Sequence, residues 1–214
     1  MKSNMPTDSG LYFIPLGGSE QFGVNLNVYA CQGRLLVVDC GLGFADERFP
    51  GIDLLLPDPQ ILEDNKNKIE ALIITHAHED HIGAVAYLWE RFKCPIYTTG
   101  FTAIILKQKL HDANVRGAVV KVIKPMEHAK LGPFDVQFLP VARSIPDATA
   151  LAIKTPQGLI LHSGDWNLDP TPIFGNITDP KIFKKIGDQK VLAYIGDSTN
   201  AMVEGRSGSE KEVE

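Results

Sequence analysis

Thr75-His76-Ala77-His78-Glu79-Asp80-His81 follows directly on the apolar run Ala71-Leu72-Ile73-Ile74. A continuous apolar run of this kind suits a buried strand. From Ile82 the period changes: Ile82, Val85, Ala86 and Trp89 recur at i, i+3, i+4 and i+7, the pattern of an amphipathic helix. The heptapeptide is therefore predicted to be a tight loop between a buried strand and a helix. Three histidines and an aspartate crowd into it. Neutral imidazole nitrogen and carboxylate oxygen are the donors that Zn²⁺ and similar ions take. A stiff strand feeding a tight loop points alternate side chains into one cavity, so His76 and His78 converge on one ion, and Asp80 and His81 on a second. Taken singly, Asp80 reads as the N-cap of the following helix and one histidine as structural. Four ligand-type residues at this spacing favour a metal.

Outward from this segment, 11–15, 24–30 and 35–38 read as strands, the last two joined by a turn at Gln32-Gly33. Residues 44–60 carry three prolines and read as a long loop, and 61–69 as a short helix. Downstream, strands are predicted at 94–97, 119–123, 134–139, 150–155, 159–162 and 191–195, with helices at 101–113 and 181–186. Gln157-Gly158 makes a hairpin turn. A strand-rich first third, then alternating strands and helices, then more strands describes sheets covered by helices, an α/β (α+β) class.

The 214 residues are 44% hydrophobic and 22% charged, enough for one domain with a real core and unlike a disordered chain. A net charge of -5 with pI ≈ 5.7 argues against a generic basic nucleic-acid binder. It leaves room for a nucleic-acid enzyme, because bound metals add local positive charge. Cys31, Cys40 and Cys94 form no CxxC, and an odd, sparse set fits a reducing compartment. The polar start lacks the apolar core of a signal peptide, and no apolar run approaches the ~20 residues that span a membrane. The expected location is the cytoplasm, with no membrane partner. The polar stretch 204–214 reads as an end without a capping element or as a cut through a longer chain.

The order strand, HxHxDH, helix resembles the metallo-β-lactamase superfamily. Other stretches narrow the resemblance: Pro15-Leu16-Gly17-Gly18, Gly51-Ile52-Asp53-Leu54, Ser144-Ile145-Pro146-Asp147, His162-Ser163-Gly164-Asp165-Trp166 and Gly196-Asp197-Ser198-Thr199-Asn200-Ala201. Together with the histidine segment they resemble the ribonuclease J family of the β-CASP group, over nearly the whole chain. This resemblance implies a four-layer αββα fold with a pair of divalent ions, Zn²⁺ or Mn²⁺, at one edge of the sheets. It implies that Asp165 bridges the two ions and that Asp39 orients a ligand imidazole from behind. Asp197 would open the β-CASP region and help handle protons, with Asp80 the other catalytic carboxylate. Without the resemblance, Asp165 and Asp39 read as turn residues and Asp197 as a strand-end cap. Residues 1–195 would be the metallo-β-lactamase domain and 196–214 the start of a truncated β-CASP region. The implied activity is hydrolysis of RNA phosphodiester bonds, in 5′-to-3′ exonuclease and endonuclease modes. RNA is then the partner, with homo-oligomers formed through segments beyond this chain.

Two departures bear on this expectation. The family has a histidine immediately before Ser-Ile-Pro, completing the first metal position with His76 and His78; here Arg143 stands there. Arginine stays protonated and has no lone pair for a metal. The first position is expected to be weakened or empty, with the guanidinium paired to Asp165 and one ion, or none, bound. Family members also continue through a return segment carrying a further ligand histidine, so the fold is expected to be incomplete at its C-terminal end. Two other functions stay open. One is a small-molecule (thio)ester or lactone hydrolase of the same superfamily, which carries its whole ligand set in one compact domain. The other is a non-catalytic remnant or interaction module, which Arg143 favours.

Overall fold

The computed structural model describes residues 9–205 and 208–212; the start and part of the polar tail read above lie outside them. The chain begins as an antiparallel meander of β1 (Leu11–Gly17), β2 (Leu26–Cys31) and β3 (Arg34–Val38). The β2–β3 turn has positive φ at both Gln32 and Gly33, the geometry that matches strand twist in a two-residue hairpin. Within the predicted long loop, β4 (Gly43–Phe44) and β5 (Leu54–Leu55) pair with each other. Then come α1 (Gln60–Asp64), β6 (Ile69–Ile73), α2 (Glu79–Ile82), α3 (Val85–Phe92), β7 (Ile96–Thr98), α4 (Gly100–Asp112) and β8 (Val120–Val122). Strands β6, β7 and β8 add in parallel to the meander, giving a six-stranded sheet in the order β1-β2-β3-β6-β7-β8. A second sheet follows from β9 (His128–Leu131), β10 (Phe134–Pro140), β11 (Thr149–Thr155) and β12 (Gly158–His162), all antiparallel. After α5 (Pro180–Gly187), β13 (Val191–Ile195) joins β12 in parallel, completing the order β13-β12-β11-β10-β9.

Side-chain alternation assigns each strand face to a layer. Leu26 and Val28 of β2, with Leu35 and Val37 of β3, face Trp89, Phe92 and Leu106 of the helices. Their neighbours Tyr29, Leu36 and Val38 face Phe134, Val136, Phe138, Leu151 and Ile153 of the second sheet. Ala150, Ala152 and Leu159 turn outward to Ile186 of α5. The result is helices, sheet, sheet and helix, the four-layer αββα arrangement implied by the resemblance. Each large apolar side chain fully buried in these layers contributes about 1.5–3 kcal/mol. Among the described residues no helix is long and apolar enough to cross a membrane. The three cysteines are free and buried.

Three expectations about elements are corrected. The predicted helix at 61–69 ends at Asp64, gives way to a 3-10 turn at Lys66–Lys68, and Ile69 already belongs to β6. The predicted helix from Ile82 is two helices, α2 and α3, broken at Gly83 and Ala84. Strand β9 was not among the predicted elements. Its alternation is short, with His128 and Lys130 exposed and only Ala129 and Leu131 buried, too brief to stand out from a loop.

One buried polar pair ties the sheets together. The Tyr29 hydroxyl of β2 and Nδ1 of His162 of β12 share a hydrogen bond of 2.8 Å. Burial pushes the His162 imidazole down to about 4, against a smaller opposing pull from Asp39. The unfolded chain takes up this proton near the ordinary histidine value, and the folded chain only at lower pH. The stabilisation from keeping His162 neutral is therefore present above about pH 6.5 and is lost as pH falls toward about 4. The expected loss from this residue between about pH 7 and about pH 5 is about 2 kcal/mol. Urea unfolding at the two pH values measures it, and His162→Gln should remove that part of the pH dependence.

Candidate metal centre

Parallel pairing brings the site together. Val38 lies beside Ile73 in β3 and β6, so both strands end at the same sheet edge and Asp39 emerges next to Thr75. His162 lies beside Ile195 in β12 and β13, so the loops carrying Asp165 and Asp197 leave the second sheet side by side. The Asp197 backbone N–H donates to Ser163 Oγ at 2.9 Å, which ties those loops together.

Asp39 anchors the first sheet's contribution. It is buried and sits at φ +62°, a conformation that aspartate tolerates better than most residues. Its carboxylate accepts from the Thr75 N–H at 2.8 Å and from Thr75 Oγ1 at 2.9 Å. It also accepts from His81 Nδ1 at 2.8 Å. Because a carboxylate only accepts, His81 carries its proton on Nδ1, which leaves Nε2 as the atom toward the site. The Thr75 hydroxyl proton is committed to Asp39, so His76 Nδ1–H donates to Thr75 Oγ1 at 3.0 Å and His76 Nε2 keeps a lone pair.

Around these nitrogens the other predicted ligands gather. His81 Nε2 is 3.4 Å from Asp80 Oδ2 and 3.2 Å from Asp165 Oδ1. His76 Nε2 is 3.1 Å from His78 Nδ1 and 3.9 Å from Asp165 Oδ2. The His76 and His81 rings pack with centroids 4.1 Å apart. Donor atoms of His76, His81 and Asp165 all lie within 4.8 Å of one another, a spacing that could hold a metal ion. The field is negative on one side. Burial works to lower His81, but Asp39, Asp165 and Asp80 outweigh it and hold the imidazole well above its ordinary range. A divalent cation on Nε2 answers the same field. Asp165 is held below the usual carboxylate range: burial pulls it up, and the His81 hydrogen bond with the charges of His81, His76 and Arg143 overcomes that pull. His76, His81 and Asp165 form the group whose spacing could hold a divalent ion, and Asp80 Oδ2 stands beside it, 3.4 Å from His81 Nε2.

The other half differs. His76 is driven well below the ordinary imidazole range, first by burial and then by the His81 charge. His78 is lowered too, first by burial and then by the charge of Arg143. The Arg143 guanidinium donates from Nη2 to Asp165 Oδ2 at 2.7 Å, the expected pairing. It occupies the side of Asp165 that faces His76.

Asp80 is not an N-cap. It lies inside α2, whose N-cap position is His78, and that side chain makes no capping bond. Asp197 lines the same cleft of about 900 Å³ as Asp39, Asp80, His81 and Asp165. Its Oδ1 accepts from the Thr199 N–H at 2.8 Å, a turn contact, and it stands outside the close metal-type cluster. Sequence reasoning missed three supporting residues. Asn25 Nδ2 donates to the Asp80 carbonyl at 3.0 Å and lies 3.3 Å from His81 Nε2. Asp147 accepts from the Phe101 N–H at the start of α4 and accepts from Thr99 Oγ1 through its carbonyl, pinning the Arg143 loop. Gly41 lies against the backbone of Asp80. Of these, Gly41 carried a local signal, a glycine just after a strand-end aspartate, and Asp147 stood in the Ser144–Asp147 stretch quoted for the resemblance, without a role assigned to it.

Residues 21–177 match the family described as the Metallo-beta-lactamase superfamily. The chain belongs to that superfamily. Within it, the chain is 41% identical to Ribonuclease J of Sinorhizobium meliloti over 98% of its own length and 38% of that protein's. It is 42% identical to Ribonuclease J of Corynebacterium glutamicum over 96% of its own length and 29% of that protein's. The chain thus spans about a third of the length of these curated relatives. Among solved structures, an Enterococcus faecalis protein of unknown function superposes with TM-score 0.64 at 18% identity, covering 94% of this chain and 52% of that one. The metallo-beta-lactamase fold protein YhfI of Bacillus subtilis gives 0.51 at 19% identity, covering 72% of this chain and 61% of that one. At these identities the likeness shows the fold.

Proposed function

We propose that this chain is the metal-binding part of a ribonuclease that hydrolyses RNA phosphodiester bonds, in 5′-to-3′ exonuclease and endonuclease modes. The observation that carries the reading is the convergence of His81 Nε2 with the Asp80 and Asp165 carboxylates at 3.2–3.4 Å, backed by Asp39. The similarity to proteins named Ribonuclease J supports RNA as the substrate. In this reading 1–195 form the metallo-β-lactamase domain and 196 onward starts a β-CASP region.

Asp80, His81 and Asp165 would hold a divalent ion, Zn²⁺ or Mn²⁺. Bound there, it supplies Lewis acidity that offsets the charge building on the phosphate. The chain's own residues do the rest. Asp39 fixes the His81 tautomer and ring orientation through Nδ1–H. Asn25 and the Asp80 carbonyl hold the loop against the meander. Asp80 and Asp197, which line the cleft, would take up or deliver a proton at the leaving oxygen. The cleft is open and mixed in polarity, which suits an extended polar substrate.

The test is cleavage of 5′-labelled single-stranded RNA by the purified chain with Mn²⁺ or Zn²⁺, against an EDTA control. Metal-dependent cleavage, abolished by His81→Ala, is expected. Hydrolysis of a thioester with RNA left intact would replace this reading with the small-molecule one. A folded protein that hydrolyses neither is the non-catalytic module, a reading that the Arg143–Asp165 ion pair favours.

A further inference from the structure

The geometry points to Arg143 as a built-in second cation: its guanidinium takes the place of one metal ion, and the chain binds a single divalent ion at Asp80, His81 and Asp165. The inference rests on the metal-centre reading and deepens it. Asp165 is the residue shared by both halves of the site. Its Oδ1 faces His81 Nε2 at 3.2 Å, and its Oδ2 is 3.9 Å from His76 Nε2. An ion on the His76 side needs that Oδ2, and Nη2 of Arg143 already holds it at 2.7 Å. Both are positive and both draw on that oxygen, so the guanidinium disfavours an ion beside it.

The guanidinium is held in place. The Asp165 contact is charge-assisted, and the Arg143 loop is stapled to α4 by Asp147 through the Phe101 N–H and Thr99 Oγ1. Arg143 keeps this position although its Nε is buried without a hydrogen-bond partner. On the opposite side, Asp165 Oδ1 and Asp80 Oδ2 face His81 Nε2 at 3.2 and 3.4 Å, whereas the Arg143 contact is to Asp165 Oδ2.

The experiment is metal content per chain by elemental analysis after desalting from excess Zn²⁺, on the full chain and on Arg143→His and Arg143→Lys. Circular dichroism checks that each variant is folded. The expected result is one ion for the native chain, two for Arg143→His, and one for Arg143→Lys, which keeps the charge and adds no ligand. A Co²⁺ titration of the native chain, followed by its visible absorption, should saturate at one equivalent, and this holds the inference to account even where Arg143→His does not fold. Two ions on the native chain, or one on folded Arg143→His, would overturn the role of Arg143 and leave the metal centre standing. No ion on any of the folded chains would overturn the metal centre itself.

Discussion

Asp39→Ala lowers divalent-metal affinity by about 10–100-fold and the free energy of unfolding by about 3–5 kcal/mol. The size follows from what one buried carboxylate does. It accepts from the Thr75 N–H, the Thr75 hydroxyl and His81 Nδ1, and alanine accepts from none of them. A buried donor left without an acceptor costs about 1–3 kcal/mol. The loss of the His81 contact also frees the imidazole to turn and to swap tautomers, so Nε2 is no longer held 3.2 Å from Asp165 Oδ1. The backbone adds to the cost, since alanine sits less easily at φ +62° than aspartate does. Asp39→Asn keeps a residue suited to that φ and one acceptor oxygen, and should lose less stability than alanine while still weakening the metal. Isothermal titration with Zn²⁺ and urea unfolding check both effects. Unchanged affinity in Asp39→Ala would show that Asp39 serves the fold and not the metal centre.

Gly41→Ala is expected to destabilise the chain by ~3 kcal/mol or more, at the upper end of overpacking. A Cβ at Gly41 would overlap the Asp80 carbonyl and press within 2.7 Å of the His81 nitrogen. No flexible side chain is there to yield; the obstacle is backbone. The approach is close because the loop after β3 is hydrogen-bonded onto α2 along its length. Cys40 N–H donates to the His81 carbonyl at 2.8 Å, Leu42 N–H to the Glu79 carbonyl at 3.0 Å, and Ala84 N–H to the Cys40 carbonyl at 2.9 Å. Any shift that relieves the methyl group moves Asp80 and His81, so metal affinity should fall together with the melting temperature. A variant with native stability and native Zn²⁺ affinity would mean that this contact is looser in solution.

Much of the fold could be read directly from residue patterns. Strand β10 alternates buried and half-buried positions from Phe134 to Gln137, and alternation of period two survives in sequence because each face meets a different medium. The runs that became β3 and most of β6 are almost wholly buried, which leaves a short apolar stretch read as strand, although Ile69 at the head of β6 was read as helix. The ligand segment was legible for a similar reason: its donors lie within seven consecutive residues, Thr75 to His81. Strand β9 and the broken α2–α3 helix were not legible. The first is a half-exposed edge whose pattern is set by one neighbour, and the second breaks where the loop after β3 docks on its backbone.

By itself, then, the sequence determined that residues of metal-ligand type crowd one segment, that a buried strand leads into it, and that Arg143 has no lone pair to offer a metal. Those are properties of residue type and local spacing. Only the tertiary structure decided that His81 is the imidazole Asp39 holds, that Asn25 and Gly41 support Asp80, and that Asp147 pins the Arg143 loop; it also placed the guanidinium on Asp165, as expected. Each of those contacts joins segments far apart in the chain. They form because parallel strands end at a common sheet edge, and pairing between distant strands leaves no trace in local sequence.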